Sequence, residues 1–163
     1  MNQIHEADRI TETIIKMVHC AKILGLPIIA NTQYKKGLGP YAASLEGLMD
    51  DIIRPDKTEF NGLANSETKE LIKALPVAVD TAILVGVETH ICIYQTALGL
   101  MEHEFMPWVV ADGVSSRTIG NHQLGLARLR DAGAVVGPAE MIVYELLAKA
   151  GTPQFKEILP HII

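Results

Sequence analysis

Cysteine and aromatic residues are scarce in this sequence. Its 163 residues include two cysteines, one tryptophan, three phenylalanines and four tyrosines. Cys20 and Cys92 lie far apart, and neither belongs to a Cys-x-x-Cys pair. The sequence therefore predicts neither a disulfide framework nor a structural zinc site, and its unpaired thiols are typical of a cytoplasmic protein.

Long apolar runs and clusters of basic residues are missing as well. No apolar stretch reaches the roughly 18 residues of a membrane span, and the N-terminus is polar rather than a signal h-region. The net charge is −5, and the basic residues are scattered singly. We therefore expect neither a membrane nor a nucleic acid as partner, and we favour a small-molecule substrate.

Metal and nucleotide motifs are missing too. The six histidines show no His-Glu-x-x-His motif and no paired spacing. Gly37 and Gly39 lack the Gly-Lys-Ser/Thr ending of a phosphate-binding loop. We therefore expect no metal and no cofactor.

Helical and strand-like patterns alternate along the chain. The composition, 48% apolar and 20% charged, suits a single domain over residues 1–163. The predicted strands are 27–32, 52–53, 81–87, 107–111 and 134–136, and the predicted helices are 4–24, 66–75 with Ser66 as N-cap, 90–103, 120–132 and 139–149. This order predicts an α/β fold, a three-layer, doubly wound parallel sheet.

Cys92 stands where an apolar strand breaks at Gly86 and passes into a helix. The N–H groups and the dipole at a helix N-terminus stabilise a thiolate, which makes Cys92 a candidate nucleophile. A lone cysteine also packs commonly as a small buried hydrophobe. Position alone leaves both interpretations open.

Polar segments follow the other predicted strands. Gln33 and Tyr34 follow one strand, Lys57 follows another, and residues 112–117 follow a third. Ligands bind outside the carboxyl ends of parallel strands, so we expect these segments to converge with Cys92 on one rim. The Asp and Ser side chains of 112–117 are expected to satisfy loop backbone groups rather than to contact substrate.

Three segments carry a resemblance to a known family. Residues 86–92 read Gly-Val-Glu-Thr-His-Ile-Cys, residues 57–60 read Lys-Thr-Glu-Phe, and residues 112–117 read Asp-Gly-Val-Ser-Ser-Arg. Together they resemble the isochorismatase-like cysteine hydrolase superfamily, and within it the isochorismatase domain-containing branch. Residues 32–34, 37–40 and 153–158 are similar to that branch too.

The resemblance implies a catalytic triad of aspartate, lysine and cysteine on a six-stranded parallel sheet. Lys57 matches the lysine and Cys92 the nucleophile. The family motif also implies a cis peptide between Val87 and Glu88, so that the backbone N–H groups of Glu88 and Cys92 form an oxyanion hole. Members of the branch form homo-oligomers, and we expect the same here.

Four further residues are expected to line the substrate pocket: Gln33, Tyr34, Phe60 and Thr89. They favour a small ligand with polar and aromatic parts. The expected reaction is hydrolysis of an amide-type C–N bond through an acyl-enzyme on Cys92.

The family aspartate has no match in this sequence. In the family it closes an apolar first strand ending in Asp-x-Gln, and no such run precedes the first helix here; Asp8 falls within the helical pattern. We expect a truncated sequence, with a repaired variant and a pseudoenzyme as alternatives. The alternative function is that of a catalytically impaired family member with an interaction or scaffold role.

Overall fold

The chain folds as helices alternating with short strands. A computed structural model describes residues 3–162; Met1, Asn2 and Ile163, including the first two residues of the polar N-terminus, lie outside the described residues. Within that range the α-helices are α1 (Ala7–Ile23), α2 (Lys35–Leu38), α3 (Ala43–Glu46), α4 (Ser66–Lys73), α5 (Tyr94–Glu102), α6 (Ile119–Asp131), α7 (Ala139–Leu147) and α8 (Pro153–Ile162). The strands are β1 (Thr32–Gln33), β2 (Asp56–Lys57), β3 (Thr81–Val87), β4 (Met106–Ser115) and β5 (Val135–Gly137).

The strands form two parallel sheets. β1 pairs with β2, and β3, β4 and β5 pair in that order. The predicted α/β class with parallel strands is confirmed. The single six-stranded sheet implied by the resemblance is not: among residues 3–162 no strand joins β1 to β3, so the sheet is in two parts.

The larger sheet is the middle of three layers. Val110 of β4 packs with Met17 of α1 and Ile142 of α7, whereas its neighbour Val109 packs with Leu129 of α6. Successive strand residues point to opposite faces, so one apolar strand serves both helical layers. The carboxyl ends of the strands therefore stay clear of the core and are available for a site.

The predicted strand 27–32 is largely wrong as a hydrogen-bonded strand. Only Thr32 and Gln33 pair with a neighbour, and residues 26–31 have no regular secondary structure. The apolar composition predicts a strand correctly only where a partner strand is available, because ladder hydrogen bonds are non-local. No partner lies beside residues 28–31 in the part of the chain that the structure describes.

The predicted strand at 52–53 is also wrong. The strand lies a few residues later, at Asp56–Lys57, after Pro55. Ile52 instead packs against the cluster of α1, α3 and Met49. Burial of a β-branched side chain was mistaken for strand pairing, and the two signals look alike in a short apolar run.

Helix positions were predicted better than helix ends. The N-cap of α4 is Asn65, whose side chain accepts from the Thr68 N–H, rather than Ser66. The predicted helix at 90–103 is a π-helix, Thr89–Ile93, followed by α5. α8 was not predicted; it packs Ile158, fully buried, with α1 and α7.

No helix among the described residues is both long enough and apolar enough to cross a bilayer.

Candidate active site

Lys57 is buried at the carboxyl end of β2, with a side chain that is 7% exposed. Its ammonium donates to the carbonyl of Glu59 at 2.8 Å and to the side-chain carbonyl of Gln33. Burial lowers the pKa of Lys57, while the negative charges of Cys92, Glu59 and Asp56 act in the opposite direction. Lys57 is therefore buried near Cys92, and the candidate site is built around these two residues.

Gln33 orients this lysine. It is the last residue of β1 and stands opposite Lys57 in the ladder. Its amide nitrogen donates to the Thr58 carbonyl at 2.9 Å, which turns the amide oxygen toward Lys57. Gln33 therefore has a positioning role toward Lys57 that the sequence did not indicate, while its contact with substrate stays a prediction.

Cys92 follows β3 within the π-helix and is partly exposed, whereas Cys20 is buried in α1. Cys92 follows β3 and Lys57 ends β2, and the effect of Cys92 on the lysine pKa shows that these two strand ends lie near each other. Burial raises the pKa of the Cys20 thiol. The two cysteines therefore differ in exposure, and Cys92 lies near enough to Lys57 to affect the lysine pKa.

The Val87–Glu88 peptide is cis. The Glu88 carbonyl accepts from the N–H groups of Ile91 and Ile93, both at 3.1 Å. Its carboxylate accepts from the backbone N–H and the side-chain Nε of Arg117, both at 3.1 Å. Glu88 is therefore held at both its carbonyl and its side chain, beside Cys92.

Thr89 does not line a pocket with its side chain. It is fully buried, and its hydroxyl lies 2.9 Å from Nδ1 of His122 on α6. The substrate-binding prediction for Thr89 is corrected: close packing of α6 on the π-helix turns this side chain inward. Gly125 permits that packing, since a Cβ there would lie 3.0 Å from the backbone of His90.

Tyr34 and Phe60, the other two predicted substrate residues, are about half exposed at the ends of β1 and β2. Tyr34 has a left-handed φ of 44°, and its ring lies over Gly37, where a Cβ would clash. Both aromatic rings are available to a ligand at the rim.

Residues 112–117 form hydrogen bonds with backbone groups of other segments, largely as predicted. Asp112 accepts from the Ala139 N–H at 2.7 Å, at the start of α7. Ser115 donates to the His5 carbonyl, and the His5 N–H donates to the Ser116 carbonyl, both at 2.9 Å. The sequence missed this anchoring of the N-terminal segment because the partners are more than a hundred residues apart.

A cavity lies at the opposite end of the strands. It has a volume of about 510 Å³ and is lined by residues that include Asp80, Thr81 and Met106. Parallel α/β sheets bind ligands at the carboxyl ends of their strands, whereas this cavity lies at the amino ends. We therefore assign the candidate site to the rim with Cys92. Among the described residues no group of three or more His, Cys, Asp or Glu side chains is placed to hold a metal ion.

The sequence matches a known family model. The isochorismatase domain model matches residues 1–141. A secreted isochorismatase effector, Isc1, of Phytophthora sojae is 34% identical over 145 residues, which is 87% of this chain and 69% of that protein. Isochorismatase domain-containing protein 1 of Danio rerio is 35% identical over 88% of this chain, and the chain spans 50% of that relative's length. The chain belongs to the isochorismatase domain family.

Solved structures agree in fold. The MAR1 ribonuclease of Caenorhabditis elegans superposes with a TM-score of 0.87 at 30% identity, covering 99% of this chain and 82% of that one. YcaC of Escherichia coli, described as an octameric hydrolase of unknown specificity, gives a TM-score of 0.89 at 21% identity over 99% of this chain and 81% of that one. At that identity the second likeness concerns the fold alone.

Proposed function

We propose that this chain is a cysteine hydrolase that cleaves an amide-type C–N bond of a small molecule. The observation that carries the proposal is the Lys57 ammonium, which is buried, is held by Gln33 and the Glu59 carbonyl, and lies near enough to Cys92 for a negative charge there to raise the lysine pKa. A cation in a site of low polarity stabilises a thiolate more strongly than it would in water. Membership of the isochorismatase domain family supports hydrolysis as the reaction class.

The proposed reaction has two stages. The Cys92 thiolate attacks the amide carbonyl carbon; the C–S bond forms, the C–N bond breaks, and the amine leaves with a proton from solvent, which replaces the proton that the thiol released when it ionised. Water then attacks the thioester, releasing the carboxylic acid and returning the thiol. Lys57 stabilises the thiolate before attack and the negative oxygen during it.

The backbone N–H groups of Glu88 and Cys92 are proposed to hold that oxygen. No hydrogen bond from the Glu88 N–H is found between Gln3 and Ile162, which supports its availability. The hydrogen bonds of the Glu88 carboxylate to Arg117, and of its carbonyl to Ile91 and Ile93, fix this residue on either side of Cys92. Gln33, Tyr34 and Phe60 are proposed to contact the substrate at the rim.

The test is the rate at which iodoacetamide alkylates Cys92, followed by peptide mass mapping. Lys57→Met keeps a long apolar side chain but removes the charge, and we expect alkylation to slow by about tenfold. Lys36→Met, an exposed lysine of α2, is the matched control and is expected to leave the rate unchanged. Equal rates in all three proteins would contradict the proposal and leave the interaction or scaffold role.

We also propose that the protein self-associates and resides in a reducing compartment. Met141 and Tyr144 of α7 and Val135 of β5 expose apolar surface, at 54%, 43% and 40%. An octameric assembly is described for YcaC, which shares the fold. Light scattering that gives the mass of one chain would contradict self-association. Cys20 and Cys92 form no disulfide, as a reducing compartment requires.

A further inference from the structure

Lys57 and Cys92 reach the candidate site from separate strands. Lys57 ends β2, whereas Cys92 follows β3 in the π-helix that continues into α5. The interaction between two charges weakens with their separation, so the reactivity of the Cys92 thiol depends on where Lys57 is held relative to that helix. The contacts that join the two segments are therefore part of the site.

Residues 57–62, which we call the lysine segment, run from β2 to the side of α5. Within this segment the Lys57 ammonium donates to the Glu59 carbonyl at 2.8 Å. At the other end of the segment, the N–H of the buried Gly62 donates to the Thr96 hydroxyl of α5 at 2.9 Å. The lysine is thus tied to the segment, and the segment is tied to α5.

Thr96 follows Cys92 by four residues, which is about one helical turn. Side chains at that spacing are neighbours on a helix surface, so Thr96 meets the lysine segment beside the part of the helix that carries the thiol. A buried N–H that loses its partner costs free energy, and the partner of the Gly62 N–H is the Thr96 hydroxyl. The bond therefore favours one position of the lysine segment on the helix.

A second contact, three residues further along α5, holds the same segment. At Gly99 an added Cβ would lie 2.6 Å from both Nδ2 and Oδ1 of Asn61. The Asn61 side chain is fixed, because its Oδ1 accepts from the Leu63 N–H at 2.9 Å. At Gly62 an added Cβ would meet both Cγ2 and Oγ1 of Thr96 at 3.4 Å. The lysine segment and α5 are thus closely packed.

We propose that Thr96 is a positioning residue, which sets the separation of the Lys57 ammonium and Cys92 by holding the lysine segment on α5 through the Gly62 N–H. This role rests on the proposed function, in which Lys57 stabilises the Cys92 thiolate. Without the Thr96 hydroxyl, the Gly62 N–H must find water as its partner. The lysine segment then shifts outward and takes Lys57 with it.

The experiment is a double-mutant cycle on the rate at which iodoacetamide alkylates Cys92 in the whole chain. Thr96→Val keeps the shape of the side chain and removes the hydroxyl, and we expect alkylation to slow by about threefold. Thr96→Ser keeps the hydroxyl and is expected to react at the parent rate. Thr11→Val removes a hydroxyl that is bonded within α1, and this matched control is expected to leave the rate unchanged.

Because Thr96 acts through Lys57, the effects of the two substitutions are not expected to add. In a Lys57→Met background we expect Thr96→Val to have no further effect on the alkylation rate, since no ammonium remains to be displaced. Slowing by the same factor in both backgrounds would overturn the proposal, since Thr96 would then act on the π-helix itself. A Thr96→Val protein that reacts as fast as the parent would overturn it as well.

Two further measurements distinguish positioning from a loss of folding. Cys20 is buried, so its alkylation in the same samples reports opening of the structure, and we expect that rate to stay unchanged in Thr96→Val. Hydrogen exchange at the Gly62 amide is expected to speed up by about tenfold in Thr96→Val and to stay at the parent rate in Thr96→Ser. Parent-like exchange of this amide in Thr96→Val would contradict the proposal.

Gly99→Ala is a second variant that leaves the Thr96 hydroxyl in place. Its Cβ presses on Asn61 and displaces the lysine segment, so we expect slower alkylation of Cys92, again with no further effect in Lys57→Met. Equal alkylation of the parent and Lys57→Met would contradict the hydrolase proposal together with this one. Slow alkylation of Lys57→Met with no effect of Thr96→Val would contradict this one alone, so the two failures are distinguishable.

Discussion

Lys57 and Gln33 face each other across the β1–β2 ladder, and the Gln33 amide oxygen accepts from the Lys57 ammonium. The pair is buried at the lysine end, and the Gln33 amide is fixed by its second bond to Thr58. A neutral acceptor holds the cation in place without neutralising it. The bond to Gln33 therefore leaves the positive charge of Lys57 intact.

Replacing Gln33 tests this pairing. Gln33→Ala leaves the buried ammonium with the Glu59 carbonyl as its remaining bond, and we expect the free energy of unfolding to fall by about 1–3 kcal/mol. Gln33→Glu supplies a carboxylate at the same length and is expected to retain stability while slowing alkylation of Cys92, because the lysine charge is then neutralised. Urea denaturation and alkylation rates measure both effects. A Gln33→Ala protein as stable as the parent would contradict the role.

Gly125 and Gly120 on α6 form a matched pair. A Cβ at Gly125 meets the His90 backbone at 3.0 Å and Thr89 at 3.1 Å, whereas a Cβ at Gly120 meets nothing within 4 Å. We expect Gly125→Ala to destabilise the protein by about 1–3 kcal/mol by pushing α6 off the π-helix. Gly120→Ala is expected to stabilise it by up to about 1 kcal/mol through helix propensity.

Thermal unfolding of both glycine variants measures the difference. Because Gly125 supports the segment that carries Cys92, the alkylation rate of Cys92 is expected to change only in Gly125→Ala. Loss of stability in both variants would mean that the helix backbone, rather than the contact with His90, requires glycine.

His122 predicts a pH dependence of stability. Burial, and then the charges of Arg9 and His5, lower the pKa of His122 below its ordinary value of 6.5. Just below pH 6.5, His122 is therefore protonated in the unfolded chain but still largely neutral in the native protein. The free energy of unfolding is expected to fall as the pH drops from 6.5 toward the native pKa, by at most about 1.4 kcal/mol per pH unit.

His122→Asn is expected to reduce this slope, measured by urea denaturation at a series of pH values. The pKa of His19 is lowered too, first by burial and then by His161 and Lys22. His19→Gln therefore separates the second contribution. An unchanged slope in His122→Asn would show that His122 is protonated equally in the native and unfolded states.

The N-cap of α4 gives a local test. Asn65 accepts from the Thr68 N–H at 3.0 Å, so Asn65→Ala is expected to cost about 1 kcal/mol. Ser66, the residue that the sequence favoured as cap, is inside the helix, and Ser66→Ala is expected to be neutral or slightly stabilising. Chemical denaturation of the two variants measures the difference, and the reverse order would restore Ser66 as the cap.

Local patterns predicted most of the helices well. The apolar spacing of α1 and α6 and the strand Thr81–Val87 follow from short-range periodicity, because each buries a face that can be read along the chain. Helix ends were less accurate, as Asn65 shows. Cap choice depends on where the preceding loop places each side chain, and that is decided by contacts outside the helix.

The site was predicted in part for the same reason. Lys57, Cys92 and the Val87–Glu88 motif were recognised from residue order and family resemblance. Thr89 was misassigned because its neighbour His122 is 33 positions away on α6. The positioning role of Gln33 was missed because a ladder partner from another segment defines it.

Local periodicity and residue type were enough to predict the α/β class, the longer helices other than α8, and the residues available for chemistry. Tertiary contacts fix which strand edges are paired, which polar side chains are buried, and how near Lys57 lies to Cys92. Those features depend on groups far apart in the chain, and only the packing of the helices on the two sheets brings them together.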